Sequence, residues 1–241
     1  MKINSALFAL GALCTLPVLG NETTVHGDPY IPIGTLDVNK TWVQTGMRPT
    51  LTWNIRYPET VDDIIEITPE DKIVPKERTE MEIRVVGAAF QVGSNHTPLA
   101  VQTRVGSGSS WESIFLGADH TVNPSEVLYS QVVEEGVTID FSSRAQRTDG
   151  SWYSSRDTLT ENLTVTALKN GDSVPYYVPA YEQGDIASFL TQYISADNKI
   201  TIGPRDVIYL YELYSTNSSS SYFDMQDMVV LVTFKDVEVP Q

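Results

Sequence analysis

The sequence predicts a mostly β protein, a sandwich of antiparallel sheets with one amphipathic helix inserted. Three observations carry that reading. Apolar and polar residues alternate with a period of two along several segments, glycine-rich turn signals separate those segments, and two runs near the C-terminus are apolar on both faces.

Leu51, Trp53, Ile55 and Tyr57 alternate with Thr52, Asn54 and Arg56, which predicts a strand with one buried face and puts Trp53 in the core. Met81, Ile83 and Val85 alternate with Glu82 and Arg84, and the run continues through Ala89-Phe90-Gln91-Val92. The same spacing recurs in Leu99, Val101 and Thr103, in Val137, Ile139 and Phe141 against Thr138, Asp140 and Ser142, and in Leu163, Val165 and Ala167. Gly106-Ser107-Gly108, Thr148-Asp149-Gly150 and Asn170-Gly171-Asp172 are turn signals. The period then changes. Asp185, after Gly184, is placed to cap a helix whose Ile186, Phe189, Leu190, Tyr193 and Ile194 share one face. That helix spans about three turns and ends near Asp197-Asn198. Residues 206–211 and 228–234 are apolar on both faces, as strands in the middle of a covered sheet are. The pattern fits an immunoglobulin-like β-sandwich, built without an inter-sheet disulfide.

Met1-Lys2 is followed by an apolar stretch from Ala6 to Leu19, with Val18 and Gly20 at the -3 and -1 positions before Asn21. This is the layout of a secretory signal peptide, residues 1–20, cut after Gly20. The apolar run is short, contains Pro17 and lacks a basic flank, so it does not read as a membrane anchor. Leu13 before Cys14 does not suit a lipoprotein, and Asn21-Glu22-Thr23-Thr24 is not the hydrophobic helix that follows a prepilin cut. Cleavage removes Cys14, the only cysteine, so the mature chain is expected to have no disulfide. Residues 21–34, with Gly27-Asp28-Pro29, Pro32 and Gly34, read as a flexible arm, and residues 35–241 as one elaborated sandwich domain. The chain's 241 residues, 41% of them hydrophobic, suffice for a core. Its formal charge of -15 repels phosphate backbones and anionic headgroups, which argues against a nucleic-acid partner and against membrane insertion after cleavage.

In the C-terminal half, the blocks Leu168-Lys169-Asn170-Gly171-Asp172-Ser173-Val174-Pro175, Ile202-Gly203-Pro204-Arg205-Asp206-Val207-Ile208 and Phe223 through Val232 resemble secreted proteins of mucin-degrading verrucomicrobia, encoded beside type IV pilus-like genes. The resemblance implies an immunoglobulin-like fold related to pilus subunits and a role in a surface appendage or host contact. Without a stalk helix after the cut, an accessory, tip or soluble role is expected rather than a shaft subunit.

Candidate sites are sparse. His26, His96 and His120 show neither a His-x-x-x-His nor a His-Glu-x-x-His pattern, so a zinc site would need ligands gathered from distant loops, and surface histidines are expected. Gly106-Ser107-Gly108-Ser109 is not a nucleophile elbow but a hairpin tip. A glycosidase needs two carboxylates at a set separation, whereas Asp62 to Glu66 and Glu134-Glu135 read as solvated edges. Asp224 and Asp227, with Asp197 and Asn198, are candidate oxygen ligands for calcium, though without EF-hand spacing. The Asn-x-Ser/Thr triplets at Asn39, Asn95, Asn162 and Asn217 are accidental in a bacterial protein. Aromatics make the best case. Trp152 and Tyr153 follow a turn, Tyr176 and Tyr177 lie between Pro175 and Pro179, and these four are the candidate ligand-contacting residues, with Trp42, Trp111 and Tyr181 in support.

No catalytic residue, cofactor or resident metal is expected. The functional expectation is an exported structural or interaction module of a type IV pilus-like surface assembly, secreted or held at the outer membrane, with protein partners in the cell envelope or on a host. The alternative is a carbohydrate-binding protein that uses exposed aromatics, with a glycosidase as its extreme form.

Overall fold

The computed structural model describes residues 33–38, 51–56, 59–175 and 188–237. The predicted signal peptide with Cys14, most of the arm, and Trp42, Tyr176, Tyr177, Tyr181 and Asp185 lie outside them.

Among the described residues β1 (Ile33–Val38) and β2 (Leu51–Arg56) pair only with each other, as a two-stranded antiparallel sheet. β1 therefore begins inside the segment read as an arm. Trp53 is 63% exposed rather than buried, and among the described residues the β1–β2 pair is hydrogen-bonded to neither of the large sheets. A one-turn helix, α1 (Val61–Ile64), opens on Thr60, whose backbone N–H and hydroxyl both donate to the Asp63 carboxylate. α1 leads into β3 (Ile65–Ile67), β4 (Ile73–Pro75) and the long β5 (Thr79–Ala88). The run expected to continue through Val92 instead breaks after Ala88. A small hairpin follows, β6 (Gln91–Val92) with β7 (Asn95–His96). β8 (Leu99–Val105) and β9 (Glu112–Gly117) flank the Gly106 to Ser109 tip, where Gly106 and Gly108 take positive φ. β10 (Tyr129–Val133), β11 (Ile139–Ala145), β12 (Arg156–Asp157) and β13 (Val165–Lys169) come next. Leu163, expected within that last strand, precedes it and is 57% exposed. After α2 (Ser188–Thr191) come β14 (Asp206–Tyr211) and β15 (Met228–Lys235).

These strands make two large antiparallel sheets packed on each other, a β-sandwich. One sheet has the order β10-β5-β15-β14-β13, and the other β3-β4-β11-β8-β9, with β12 paired to β11. Between them lies the main core, where Met81, Ile83, Tyr209, Val230 and Val232 of the first sheet meet Leu99, Val101, Ile139 and Phe141 of the second. The outer face of the first sheet is covered as well. Val86, Leu168, Ile208, Leu210 and Val229 pack there beneath Leu190, Ile200, Ile202, Phe223 and Met225. This double cover is the reason residues 206–211 and 228–234 are apolar on both faces. β15 is paired on both sides within its own chain, as that pattern predicts, although Leu231 itself is only partly buried.

The helix expected to run to Asp197-Asn198 ends at Thr191. Among the described residues it is the single turn α2, and the chain then closes through a turn at Ser195 to Lys199, with Ile194 bridged to Ile200 and Asn198 at φ 57. The helical spacing still selected the right face, since Phe189, Leu190, Tyr193 and Ile194 all pack in the outer cluster.

Candidate functional site

The segment from Glu212 to Asp227, which joins β14 to β15, is rich in serine and built on its own carboxylates. Glu212 is fully buried. Its Oε1 accepts the N–H groups of Tyr214 at 2.8 Å and Ser215 at 2.6 Å, and its Oε2 accepts that of Asp224 at 3.0 Å. Asp227 Oδ2 accepts the N–H of Leu213 at 2.6 Å. The two acids thus take up backbone donors that a loop leaving a sheet cannot satisfy within a ladder. Met225, buried and at φ 55, sits in the turn that they hold.

Carboxyl oxygens of Glu212, Asp224 and Asp227 lie within 4.8 Å of one another. Burial pushes the Asp227 carboxyl well up, and the neighbouring Glu212 and Asp224 push it further. Glu212 is also raised, by burial first and by Asp224 last, against the lowering effect of its three amide donors. The cluster therefore keeps a proton at a pH where a free carboxylate has lost its own. Three carboxylates this close are the residues that could hold a hard cation. Of the calcium candidates read from the sequence, Asp224 and Asp227 come together, but Asp197 and Asn198 sit in the 195–199 turn and outside this cluster, and Glu212 takes their place.

Above the carboxylates the loop carries two exposed rings, Tyr214 at 54% and Tyr222 at 71%. They extend a file of aromatics that begins in the core. Phe90 meets Tyr153 at 5.5 Å between centroids, Tyr153 meets Tyr214 at 5.8 Å, and Tyr214 meets Tyr222 at 6.0 Å, each pair edge to face. These rings, with Asp224 and Asp227, line an open cleft of about 450 Å³, within the size range of small-ligand sites. Arg147 stacks on Tyr153 at 4.5 Å, and the Arg156 guanidinium donates to the Tyr214 carbonyl at 3.4 Å, so both sides of the file are braced.

Of the four aromatics singled out in the sequence, Tyr153 reaches this cleft. Trp152 does not line it. It is half-buried, with the Arg144 guanidinium 4.6 Å over its ring, and Trp111 is engaged in the same way by Arg104 at 5.1 Å. Tyr176 and Tyr177 lie outside the described residues. Tyr214, Tyr222 and Glu212 were missed. The available signal was a pair of tyrosines in a serine-rich connection between two fully apolar strands, where a long loop needs its own reason to be ordered. No family model matches this chain, and neither the curated proteins nor the solved structures contain a match to it.

Proposed function

We propose that the protein is a binding module and not an enzyme, and that it holds a carbohydrate in the Tyr153–Tyr214–Tyr222 cleft. The observation that carries this reading is the file of three tyrosines, two of them exposed, rising from the core beside carboxylates. Exposed ring faces stack on the apolar faces of sugar rings, and carboxylate oxygens accept hydroxyl hydrogens. The acids of the cleft are better suited to structure than to glycoside hydrolysis. Glu212 and Asp227 already accept the loop's own amides, and the three carboxylates lie closer together than the roughly 5–9.5 Å that acid and nucleophile or base require.

Glycan-array binding of the labelled protein, followed by titration of the best ligand, tests the reading. Tyr214→Ala and Tyr222→Ala remove exposed rings without opening the core, and each should weaken binding by at least about tenfold. An array without a specific signal, or binding indifferent to both substitutions, overturns it.

The module's wider setting is a second proposal, namely an exported part of a type IV pilus-like surface assembly, of the immunoglobulin-like type, in contact with the envelope or a host. Its support is the resemblance of residues 168–175, 202–208 and 223–232. Because β15 is fully paired within the chain, such an assembly would engage the protein through its surface and not by capturing its last strand. Affinity capture from the native cell envelope tests this, with pilus-like components as the expected partners and their absence as the contrary result.

A further inference from the structure

The tyrosine cleft has a charge as well as a shape. Both charged residues in its lining are acids, Asp224 and Asp227, and no lysine, arginine or histidine stands among its described lining residues. Besides the tyrosine hydroxyls, its other hydrogen-bonding side chains are Gln91 and Ser221. The cleft also lies on a chain of formal charge -15, whose field favours the approach of cations and opposes that of anions. A sialylated, uronic or sulfated glycan would enter against both the local and the overall charge.

The rings narrow the choice further. Tyr153 and Tyr214 meet at 85° and Tyr214 and Tyr222 at 82°, so the file is a set of corners and not a flat platform. Perpendicular rings enclose a compact group from two sides, which is how aromatic side chains hold an ammonium. Tyr153 already serves a cation, since the Arg147 guanidinium lies 4.5 Å over its ring. Tyr214 and Tyr222 are both exposed and open to a cation from outside.

The acids suit the same group. Carboxyl oxygens of Asp224 and Asp227 lie no more than 4.8 Å apart. A charge-assisted N–H···O bond is about 2.8 Å long, so one nitrogen between two such oxygens reaches both as they stand. The Leu213 N–H donates to Asp227 Oδ2, and a carboxylate has further lone pairs, so the loop keeps its own bond. An ammonium there brings positive charge to a carboxyl that otherwise faces like charges. A bare metal ion would use the oxygens alone and leave the tyrosines without a part.

We propose that the carbohydrate held in the Tyr153–Tyr214–Tyr222 cleft is an amino sugar with a free, protonated amine, which donates to Asp224 and Asp227 while the sugar ring packs on Tyr214 and Tyr222. This rests on the cleft being a carbohydrate site and adds the class of sugar. An N-acetylated sugar has no charge at that nitrogen and one N–H in place of three.

Isothermal titration calorimetry of the full chain in EDTA at about pH 6, where such an amine is charged, compares a β-1,4-linked glucosamine tetramer with its fully N-acetylated counterpart. The free amine is expected to bind at least about tenfold more tightly. Asp224→Asn should lower affinity for the glucosamine tetramer at least about tenfold and leave that for the acetylated tetramer unchanged, whereas Tyr222→Ala should weaken both. Asp224 is partly exposed and Tyr222 exposed, so both variants should keep the far-ultraviolet circular dichroism of the parent. Equal or tighter binding of the acetylated tetramer, or a preference for the amine that survives in Asp224→Asn, overturns this inference and leaves the carbohydrate reading standing. If neither tetramer binds, the glycan array decides: free-amine sugars as the specific ligands sustain the inference, sugars without an amine overturn it alone, and no specific signal removes both readings.

Discussion

Asp140, buried, and Asp227, partly buried, are two aspartates next to strands of the sandwich, and their surroundings are opposite. Asp140, in β11, is 1% exposed and faces its directly cross-strand neighbour Arg104, whose guanidinium reaches Oδ2 at 2.5 Å. Asp227, at the entry to β15, faces Glu212 and Asp224 and has a backbone N–H where Asp140 has a cation. One is a matched charge that fastens two strands. The other belongs to a set of like charges that protons must relieve. The difference teaches that burial alone does not mark a site: Asp140 lies inside the fold against a cation, whereas Asp224 and Asp227 face like charges where the cleft opens.

Breaking the matched pair should have the largest effect. Arg104→Met leaves Asp140 buried without its cation and should cost about 3 kcal/mol, toward the low end for a broken buried pair because Arg104 keeps some exposure. Urea unfolding at neutral pH measures it. Asp227→Asn copies the protonated acid, keeps an oxygen for Leu213 and should change stability by no more than about 1 kcal/mol. It should also change the pH profile. Asp227 and Glu212 are raised in the folded state, so the stability they confer is complete below the ordinary carboxylate range and is lost as pH rises through their elevated values. The parent should therefore lose thermal stability toward alkaline pH more steeply than Asp227→Asn.

Asp71 allows a finer version of the same comparison. Burial first, then Glu161 and Glu70, raise it from 3.8 to about 6, against the Ala167 N–H that donates to its carboxylate. Its contribution is likewise present below its unfolded value and lost as pH rises through about 6. Melting midpoints of the parent and Asp71→Asn should diverge across that interval and run parallel above it. The smallest expected effect is none at all. A chain that begins at Asn21, and so lacks Cys14, should melt at the same temperature with and without a thiol reductant.

Much of the sandwich was legible because its strands obey local rules. Met81, Ile83 and Val85, and the doubly apolar runs of β14 and β15, state their burial in the sequence itself. What escaped depends on partners far along the chain. Asp140 sits at a polar position of an alternating run and reads as outward-facing; only the β8–β11 register places Arg104 opposite and Thr158 over it. Trp53 alternates as a core residue does, yet among the described residues its strand pair is hydrogen-bonded to neither large sheet, a fact of topology with no local mark. α1 could have been found, since Thr60 and Asp63 have the spacing of a capping box. At the cleft, Tyr153 and the Asp224–Asp227 pair were within reach of the sequence. Glu212 was not, because twelve residues separate it from Asp224 and only the closed loop joins them.

Gly87 carries a consequence for the order in which the molecule assembles. A Cβ there would lie 2.2 Å from the ring of Phe189, so that ring occupies the space of the missing side chain. Gly87 stands opposite Val229, where the β5–β15 register shifts before Val230. The seat for Phe189 is thus defined by two strands 142 positions apart in register and comes into being only when they have joined. The outer cover is accordingly expected to settle only after the two strands have found their register.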